Sequence, residues 1–338
     1  MNVKVLFTIF YLIVLISFSR SVFAGCTDEN QLKGVNVAGA EFAHDKTPGL
    51  IDRDYVYPTK ADLVYFKESG ANVIRLPFLW ERIQLKIGEP LNVAELNHVR
   101  NVLNWASQLN LCVILDIHNF GKYKGISIGD PQVPIQSFID LWVKLALTFS
   151  DVNVTAIGLM NEPSSIPLLA WSSIAQQTTT ALRSAGSKHL VFVSSGRWSG
   201  AHEFNKPFNG VSNASLLKDF KDPLNLYAIE LHQYADINYS GTSTHCIDGE
   251  QLREILGNVS RWAIEHKAKL FLGEFGVSRS IQCQKALNSM LQAMQDSKAW
   301  LGWTYWAAGQ WWGNYPFSIQ PSNGEESPQF KILKQYFK

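Results

Sequence analysis

The sequence predicts a (β/α)8 barrel, an α/β TIM barrel that forms a single domain. Eight short apolar runs occur along the chain, and stretches with a helical repeat of apolar residues lie between them. Apolar runs that alternate with amphipathic helices are typical of βα units and a parallel sheet. Eight such units in roughly 300 residues match a closed barrel. No linker rich in Pro, Gly or Ser divides the chain.

The predicted strands and helices alternate in order. The strands are KGVNVAG (33–39), ANVIRLPF (71–78), LCVILDIHN (111–119), VTAIGLMNE (154–162), HLVFVSSG (189–196), NLYAIELHQY (225–234), AKLFLGEFG (268–276) and AWLGWTYWAAG (299–309). The helices are a stripe after Asn92 that runs from Leu96 to Leu109, a stripe from Ile135 to Leu145, and the stretches 168–185, 251–266 and 285–295. We interpret segments 196–224 and 234–249 as loops at the top of the barrel, because neither resembles a linker.

The N-terminus predicts a secretory signal over residues 1–24, so that the barrel domain comprises 25–338. Lys4 supplies a positive charge, and an almost wholly apolar run from Val5 to Phe18 follows. The run is too short to span a bilayer comfortably, and cleavage is expected after Ala24. A secreted protein follows from this interpretation. Two alternatives stay open: an uncleaved signal anchor, and a lipid anchor on Cys26, since FAGC loosely resembles a bacterial lipoprotein box. No other stretch is apolar enough for a membrane span.

Composition excludes several classes of partner. The chain has 30 Lys and Arg against 29 Asp and Glu, without a long basic run. Nucleic acid is therefore not an expected partner. Hydrophobic residues make up 46% and charged residues 17%, which permits a large buried core. Eleven Trp residues are available to fill that core or to line a surface that binds flat ligands. We expect a monomer.

Four cysteines allow three complete pairings, and their positions alone do not select one. Export permits disulfides. Cys112 lies inside the apolar run LCVILDIHNF, and we interpret it as a buried free thiol. Cys246 and Cys283 both lie in polar segments near predicted helix starts, where they are able to pair.

Polar side chains recur where the predicted strands end, which is the edge that carries active sites in this architecture. Glu162 ends the fourth strand and Glu274 the seventh, so two carboxylates face each other across the ring. The other residues at this edge are Asn36, Arg75, His118, Asn161, His232, Tyr234 and Trp306.

Two opposed carboxylates indicate glycoside hydrolysis, in which one is protonated and the other ionised. Arg75 and Tyr234 are suited to hold one of them ionised. Asn161 offers donor and acceptor atoms to a sugar hydroxyl, and Trp306 offers a flat face to a sugar ring. Trp198, Trp311 and Trp312 serve either as packing or as further binding surface, and Trp80 is interpreted as scaffold. No cofactor is expected.

Two hypotheses of another class remain. His118 and His232 each follow an acidic residue by two positions, Asp116 and Glu230, and so share a strand face with it. The acid either orients the ring or binds a metal together with it, which would give a metal-dependent barrel hydrolase. The other hypothesis is a carbohydrate-binding barrel without catalysis, although such proteins usually lose one carboxylate.

The motifs IGLMNEP, FLGEFG, VIRLPF, DIHN, LHQY and WTYW resemble those of glycoside hydrolase family 5 over residues 32–338. KGVNVAG, DIHNFGKY and SGTSTHC resemble secreted endo-β-1,4-glucanases of the filamentous-fungal type. The resemblance implies retention of configuration, with Glu162 as acid/base and Glu274 as nucleophile. It implies a β-1,4-glucan substrate, although members of the family also act on mannan, xyloglucan and β-1,3-glucan. The residues implied to surround the substrate are Arg75, His118, Asn161, His232, Tyr234 and Trp306, to which we add Asn36 and Trp198.

The resemblance also bears on the cysteines. In the related enzymes a Cys that matches Cys246 is disulfide-bonded, which favours a Cys246–Cys283 bridge. A family Cys seven residues before Cys112 is replaced by Trp105, so the resemblance supplies no partner for Cys112.

Overall fold

A closed barrel of eight parallel strands forms the centre of the protein, as the sequence predicts. A computed structural model describes residues 25–26, 31–322 and 324–337, so the predicted signal over 1–24 lies outside the described residues. The barrel strands are β1 (Leu32–Val37), β2 (Val73–Phe78), β3 (Cys112–Ile117), β6 (Thr155–Gly158), β7 (Val191–Ser194), β8 (Tyr227–His232), β9 (Leu270–Glu274) and β10 (Trp300–Ala308). Around the barrel they follow the order β1-β10-β9-β8-β7-β6-β3-β2.

Helices connect consecutive strands and cover the outside of the barrel. They are α1 (Lys60–Glu68), α2 (Trp80–Ile83), α3 (Val93–Leu109), α4 (Ile135–Thr148), α5 (Leu168–Ser184), α6 (Asn213–Leu217), α7 (Gly249–His266), α8 (Ile281–Ala293) and α9 (Pro328–Leu333). The side chain of Asn92 accepts a hydrogen bond from the N–H of Ala94 and so caps α3, and Asn110 ends that helix in the left-handed conformation. The five predicted helices are all present.

One short hairpin was not expected from the sequence. β4 (Lys122–Tyr123) and β5 (Ile126–Ser127) pair antiparallel in the connection after β3. Lys124 and Gly125 form its turn with φ of 48° and 80°. Both values lie in the left-handed region that two-residue hairpins of type I′ require, although Lys is not a typical residue there. The hairpin places Lys122, Lys124 and Gly125 at the edge of a cleft described below.

The barrel interior has an apolar floor and a polar upper part. Alternate residues of each strand point inward, because successive side chains of a strand lie on opposite faces. The floor is one buried cluster of Cys26, Leu32, Val73, Cys112, Ile114, Ala156, Leu190, Phe192, Ala228 and Phe271. Above it, Arg75, Asp116 and Glu230 are buried on β2, β3 and β8. Because Arg75 and Asp116 each follow a floor residue by two positions on the same strand, the sequence itself separates the floor from the charged layer.

The described residues contain two disulfides, of which one was expected from the sequence and the other was not. Cys246 is bonded to Cys283, as expected. Cys112 is buried, but the prediction of a free thiol is wrong, because it is bonded to Cys26. Cys112 begins β3 with its side chain in the floor cluster, and the segment of Cys26 reaches this floor, where the Cys26 N–H donates to the carbonyl oxygen of Asn153 at 3.1 Å.

This bond also argues against the alternative of a lipid anchor. A lipid thioether on Cys26 requires the same sulfur atom that bonds to Cys112. In the described part of the chain, no helix has the length and apolar character needed to cross a membrane.

Candidate active site

A cleft of about 1040 Å³ opens where the strands of the barrel end. Among the residues that line it are His118, Phe120, Trp198, Trp306 and Trp312. Hydrogen bonds connect the two glutamates to the cleft residue His118: the amide nitrogen of Asn161, which precedes Glu162, lies 3.2 Å from the His118 ring, and Arg75 bridges Asn161 and Glu274. The sequence-predicted site residues therefore meet in one place at the C-terminal edge of the barrel.

The two glutamates approach each other closely. A carboxylate oxygen of Glu162, a ring nitrogen of His232 and a carboxylate oxygen of Glu274 all lie within 4.8 Å of one another. His232 stands between the carboxylates, with Nδ1 at 2.8 Å from Glu162 Oε1 and 3.7 Å from Glu274 Oε2. Glu162 follows β6 with φ of 38°, a left-handed conformation that is uncommon for a residue with a side chain. Such strained backbone at the end of a strand is often found at functional sites.

Glu274 is held by two donors. Arg75 donates from Nη1 to Oε1 at 2.8 Å, and the hydroxyl of Tyr234 donates to Oε2 at 2.9 Å. The side chain of Glu274 is 5% exposed. Burial by itself would raise the pKa of Glu274, but the positive charges of His232, Arg75 and His118 and the Tyr234 hydroxyl hold this pKa below its ordinary value. Glu274 is therefore the carboxylate that stays ionised.

Glu162 has a different environment. Its side chain is 14% exposed and hydrogen-bonds with the imidazole of His232 at 2.8 Å. Burial raises the pKa of Glu162, and the negative charge of Glu274 adds to this effect, although the hydrogen bond and the charge of His232 oppose it. The pKa of Glu162 lies above its ordinary value as a result. Glu162 is therefore the group of the pair that retains a proton more readily.

A buried ion network supports Glu274 from below. Arg75 is fully buried and also pairs with Asp116 Oδ1 at 3.1 Å and with Glu230 Oε1 at 3.0 Å. Asn36 accepts from Arg75 Nη1 at 3.0 Å and donates to the carbonyl oxygen of Gly273 at 2.9 Å. A charged group this deep requires several partners, because desolvation is costly. The network fixes the guanidinium next to Glu274.

The two histidines are oriented by the acids that precede them. Asp116 Oδ2 lies 2.8 Å from Nδ1 of His118, and Glu230 Oε1 lies 3.5 Å from Nε2 of His232. Burial disfavours a charge on His232, but Glu274, Glu162 and Glu230 outweigh burial and raise the pKa of His232 to about 10. In the described residues, the group able to hold a metal ion is Glu162, His232 and Glu274, rather than the two acid–histidine pairs.

Some predicted binding residues lie beneath the surface of the cleft. Asn36 is 0% exposed and Asn161 is 1% exposed. Asn161 accepts from Arg75 Nη2 at 2.9 Å through Oδ1, and its amide nitrogen faces His118. The substrate contacts that we predict for both residues remain predictions, and the contacts seen here connect Arg75 to His118.

Aromatic residues form the walls of the cleft. Trp306 stacks on His118 with ring centres 5.4 Å apart, and Trp312 stands edge-on to Trp306 at 5.8 Å. On another wall Trp198 is 54% exposed and meets Phe120 edge-on at 6.2 Å. Trp312 lines the cleft, whereas Trp311 does not.

The interpretation of Trp80 as scaffold is confirmed. Its side chain is fully buried, and its ring packs edge-on against Tyr123 with centres 4.9 Å apart. Trp80 therefore holds the hairpin that carries Tyr123 against the barrel rather than contacting the cleft.

Glu41 and Phe120 are among the cleft residues that were not predicted from the sequence. Glu41 follows β1 and lines the cleft, and Phe120 does so after β3. The signal for Glu41 was a single charged residue in the apolar stretch NVAGAEF, directly beyond a strand end. Phe120 adopts φ of 54°, which turns the chain at this point and which no residue preference predicts.

Comparison with known proteins shows the family to which the chain is similar. The sequence model of the family described as Cellulase (glycosyl hydrolase family 5) matches residues 29–310. The chain is 30% identical over 294 residues to a probable endo-β-1,4-glucanase B of the fungus Neosartorya fischeri, with 86% of each chain covered.

Two solved bacterial structures show higher identity. The endo-β-1,4-glucanase Xac0029 from Xanthomonas axonopodis pv. citri is 41% identical with a TM-score of 0.89, over 91% of this chain and 98% of that one. A protein named XacCel5A, solved in complex with cellopentaose, is 44% identical with a TM-score of 0.89, over 91% of this chain and 100% of that one. The similarity therefore extends over nearly the whole described chain.

Proposed function

The chain belongs to glycosyl hydrolase family 5, and on that premise we propose that it is a retaining endo-β-1,4-glucanase. Glu274 is the nucleophile and Glu162 the general acid/base. The observation that carries this proposal is the opposite environment of the two carboxyl groups. Arg75 and Tyr234 bind Glu274, whereas Glu162 has a pKa raised by burial. The substrate follows from relatives named endo-β-1,4-glucanases and from the cellopentaose complex of XacCel5A.

In the first step Glu274 attacks the anomeric carbon, and Glu162 gives its proton to the departing glycosidic oxygen. One C–O bond forms as the other breaks, and the products of this step are a glycosyl-enzyme ester and a shortened glucan. The loss of negative charge on Glu274 leaves Arg75 with Asp116 and Glu230 as ionic partners. The guanidinium therefore stays neutralised throughout the step.

In the second step Glu162, now ionised, removes a proton from water, and the water attacks the anomeric carbon. The ester breaks, Glu274 is regenerated, and two inversions give net retention. The imidazole of His232 lies 2.8 Å from Glu162 and 3.7 Å from Glu274, so the charge on each carboxyl group acts on it. The short approach of the carboxylates supports retention, because retaining enzymes place them about 5–5.5 Å apart and inverting enzymes about 6.5–9.5 Å.

Trp306 and Trp198 supply apolar faces for sugar rings on separate walls of the cleft. The cleft is open and lined by several aromatic residues, which suits an internal segment of a chain better than a single terminal sugar. We further propose that the protein is secreted after removal of residues 1–24 and acts as a monomer without a cofactor. The two disulfides support an extracellular location.

The test is release of reducing ends from a panel of β-1,4-glucan, mannan, xyloglucan and β-1,3-glucan. We expect the highest rate on β-1,4-glucan, with a rapid fall in the viscosity of a soluble cellulose derivative because internal bonds are cut. A preference for mannan would overturn the proposed substrate but leave the proposed mechanism unchanged. Loss of activity with a chelator, restored by added metal, would instead support the metal-dependent hypothesis.

A further inference from the structure

A third buried carboxyl group, Glu41, borders the cleft and has no part in the chemistry proposed above. It is 8% exposed and lines the cleft together with His118 and Trp306. Its Oε2 accepts a hydrogen bond from the N–H of Gly39 at 2.7 Å. Its Oε1 is buried and has no hydrogen-bond partner among the described residues. A buried acceptor without a donor is unfavourable, which indicates that a partner is missing from this position.

The surrounding loop does not need this oxygen. The guanidinium of Arg82 lies against the same loop, and it donates to backbone carbonyl oxygens rather than to Glu41. Its acceptors are Ala40, Phe42, Ala43 and Pro48. The chain is therefore anchored on both sides of Glu41 without the Glu41 side chain. A purely structural role for Glu41 is limited to the single contact of Oε2 with Gly39.

Other buried carboxylates that the mechanism does not use are satisfied. Glu95 accepts from the hydroxyls of Tyr55 and Tyr57, at 2.8 Å and 2.9 Å. Glu81 accepts from Asn119 Nδ2 at 2.6 Å and from the Lys124 N–H.

The other buried carboxylate oxygens of the described chain that lack a hydrogen-bond partner belong to Asp116 and Glu230. Both of these groups are ion-paired with Arg75 below the cleft. No cation of the described residues lies within ion-pair distance of Glu41, so Glu41 combines an open acceptor with a position on the cleft.

The depth of Glu41 is compatible with contact to a ligand. His118 and Trp306 are also 8% exposed. The side chain of Glu274 is only 5% exposed, although the proposed mechanism requires it to contact a sugar. The neighbouring Phe42 packs edge-on against Trp312 with ring centres 4.8 Å apart. An acceptor set among aromatic faces is the usual composition of a sugar site, since the faces bind C–H groups and the acceptor binds a hydroxyl.

We propose that Glu41 is a substrate-positioning residue whose Oε1 accepts a hydrogen bond from a hydroxyl of the sugar unit next to the one on Trp306. This proposal rests on the proposed function, because it takes the ligand to be a β-glucan chain. The hydroxyl supplies the donor that the protein lacks at this position. A sugar that lacks the hydroxyl, or carries a substituent on it, leaves the acceptor unpaired and binds less tightly.

Burial raises the pKa of Glu41 to about 7, although the charge of His118 and the N–H groups of Gly39 and Glu41 oppose this effect. Asp116 raises it further, and Arg82 faces Glu41 from α2. A hydroxyl that donates to the carboxylate favours its ionised form. Binding of the glucan should therefore lower the pKa of Glu41 and release protons near pH 7. A role confined to the loop would not produce this release.

The experiment measures cellopentaose binding by calorimetry in a Glu162→Gln background, which prevents turnover. Addition of Glu41→Gln turns an amide N–H₂ toward the cleft, because the amide oxygen is needed by Gly39. We expect binding to weaken by about 10- to 100-fold, the effect of losing a hydrogen bond to a charged group. Proton release, measured in two buffers of different ionisation enthalpy, should decrease as well.

Asp52→Asn is the matched control, since Asp52 is an exposed carboxylate in the same connection between β1 and α1 and is not among the residues that line the cleft. It should change the affinity by less than about twofold, because water already solvates this group. Glu41→Asp retains the charge, shortens the reach and serves as a second variant if Glu41→Gln is unstable. We expect it to weaken binding too.

Unchanged affinity and unchanged proton release in a folded Glu41 variant would overturn this site alone. A parent protein that neither binds nor hydrolyses cellopentaose would overturn the proposed function and this site with it. The two failures are therefore distinguished by the behaviour of the parent.

Discussion

Glu274 and Glu162 lie in one site, yet the two sides of that site are built differently. Glu274 rests on a buried layer of charges, where Arg75 joins it to Asp116 and Glu230. Glu162 projects from a strained turn after β6, and its side chain is nearly three times as exposed, 14% against 5%. Glu274 is thus bound by the guanidinium of Arg75 and the hydroxyl of Tyr234, whereas Glu162 is bound by the imidazole of His232.

The difference shows how a barrel assigns two roles to one residue type. Arg75 keeps its positive charge at any physiological pH, so Glu274 is ionised in the free enzyme. His232 is hydrogen-bonded to Glu162 at 2.8 Å and lies 3.7 Å from Glu274, so Glu162 lacks the guanidinium that holds Glu274 ionised. The pKa of Glu162 is raised and that of Glu274 is lowered, and activity is expected between the two values.

The largest effect should come from Glu274→Gln, which removes the nucleophile. We expect turnover to fall by roughly 10⁵- to 10⁶-fold on every substrate, as for other covalent nucleophiles. Reducing-end release measures this loss, and Glu265→Gln, an exposed position on α7, is the control. Residual activity above about one part in 10³ would mean that another group forms the intermediate.

Glu162→Gln should have a smaller effect that depends on the leaving group. On a natural β-glucan we expect a loss of about 10²–10⁴-fold, the usual contribution of general acid/base catalysis. An aryl cellobioside with dinitrophenolate should still react in a burst, because this group departs without a proton. Azide should then restore turnover, more readily in Glu162→Ala, and give a β-glycosyl azide. Rescue of the Glu274 variant alone, with an α-glycosyl azide, would exchange the two assignments.

Tyr234→Phe should have a smaller effect, because it removes one of the two hydrogen-bond donors to Glu274 and leaves the nucleophile in place. The folded protein lowers the pKa of Glu274, so activity is lost when pH falls through that pKa. Without the hydroxyl this pKa should rise, and the acidic limb of the kcat/KM profile should move to higher pH. We expect kcat to fall by about tenfold. Tyr65→Phe is the control, since its hydroxyl contacts Glu326 at 3.2 Å away from the site. An unmoved acidic limb would show that Tyr234 does not set the charge of Glu274.

The sequence predicts most of this arrangement because its strands carry periodic signals. Arg75 and Glu274 end up together since each lies at the same point of an apolar run, and parallel strands of a barrel bring these points to one edge. The same logic located Glu162, His118 and His232. The donors of one carboxylate were also anticipated, because Arg and Tyr are residues that hold an acid ionised. The contact of His232 with Glu162 was not predicted.

Features that depend on the path of the chain outside the strands were not predicted. Cys112 was expected to be free, because nothing in its apolar run shows that the segment of Cys26 reaches the floor of the barrel. Glu41 lies in a loop shaped by Arg82, and no local pattern indicates that its oxygen lacks a donor. The φ of 38° at Glu162 likewise follows from tertiary contacts rather than from residue preference.

The most direct test of which glutamate is the nucleophile is to identify the residue that carries the covalent glycosyl group. Glu162→Gln should accumulate the intermediate when it reacts with dinitrophenyl β-cellobioside, because no base remains to hydrolyse it. Intact mass analysis followed by peptide mapping should find one cellobiosyl group, attached to the carboxyl of Glu274. An adduct on any other carboxylate, or a first-formed product of inverted configuration without an adduct, would contradict the account.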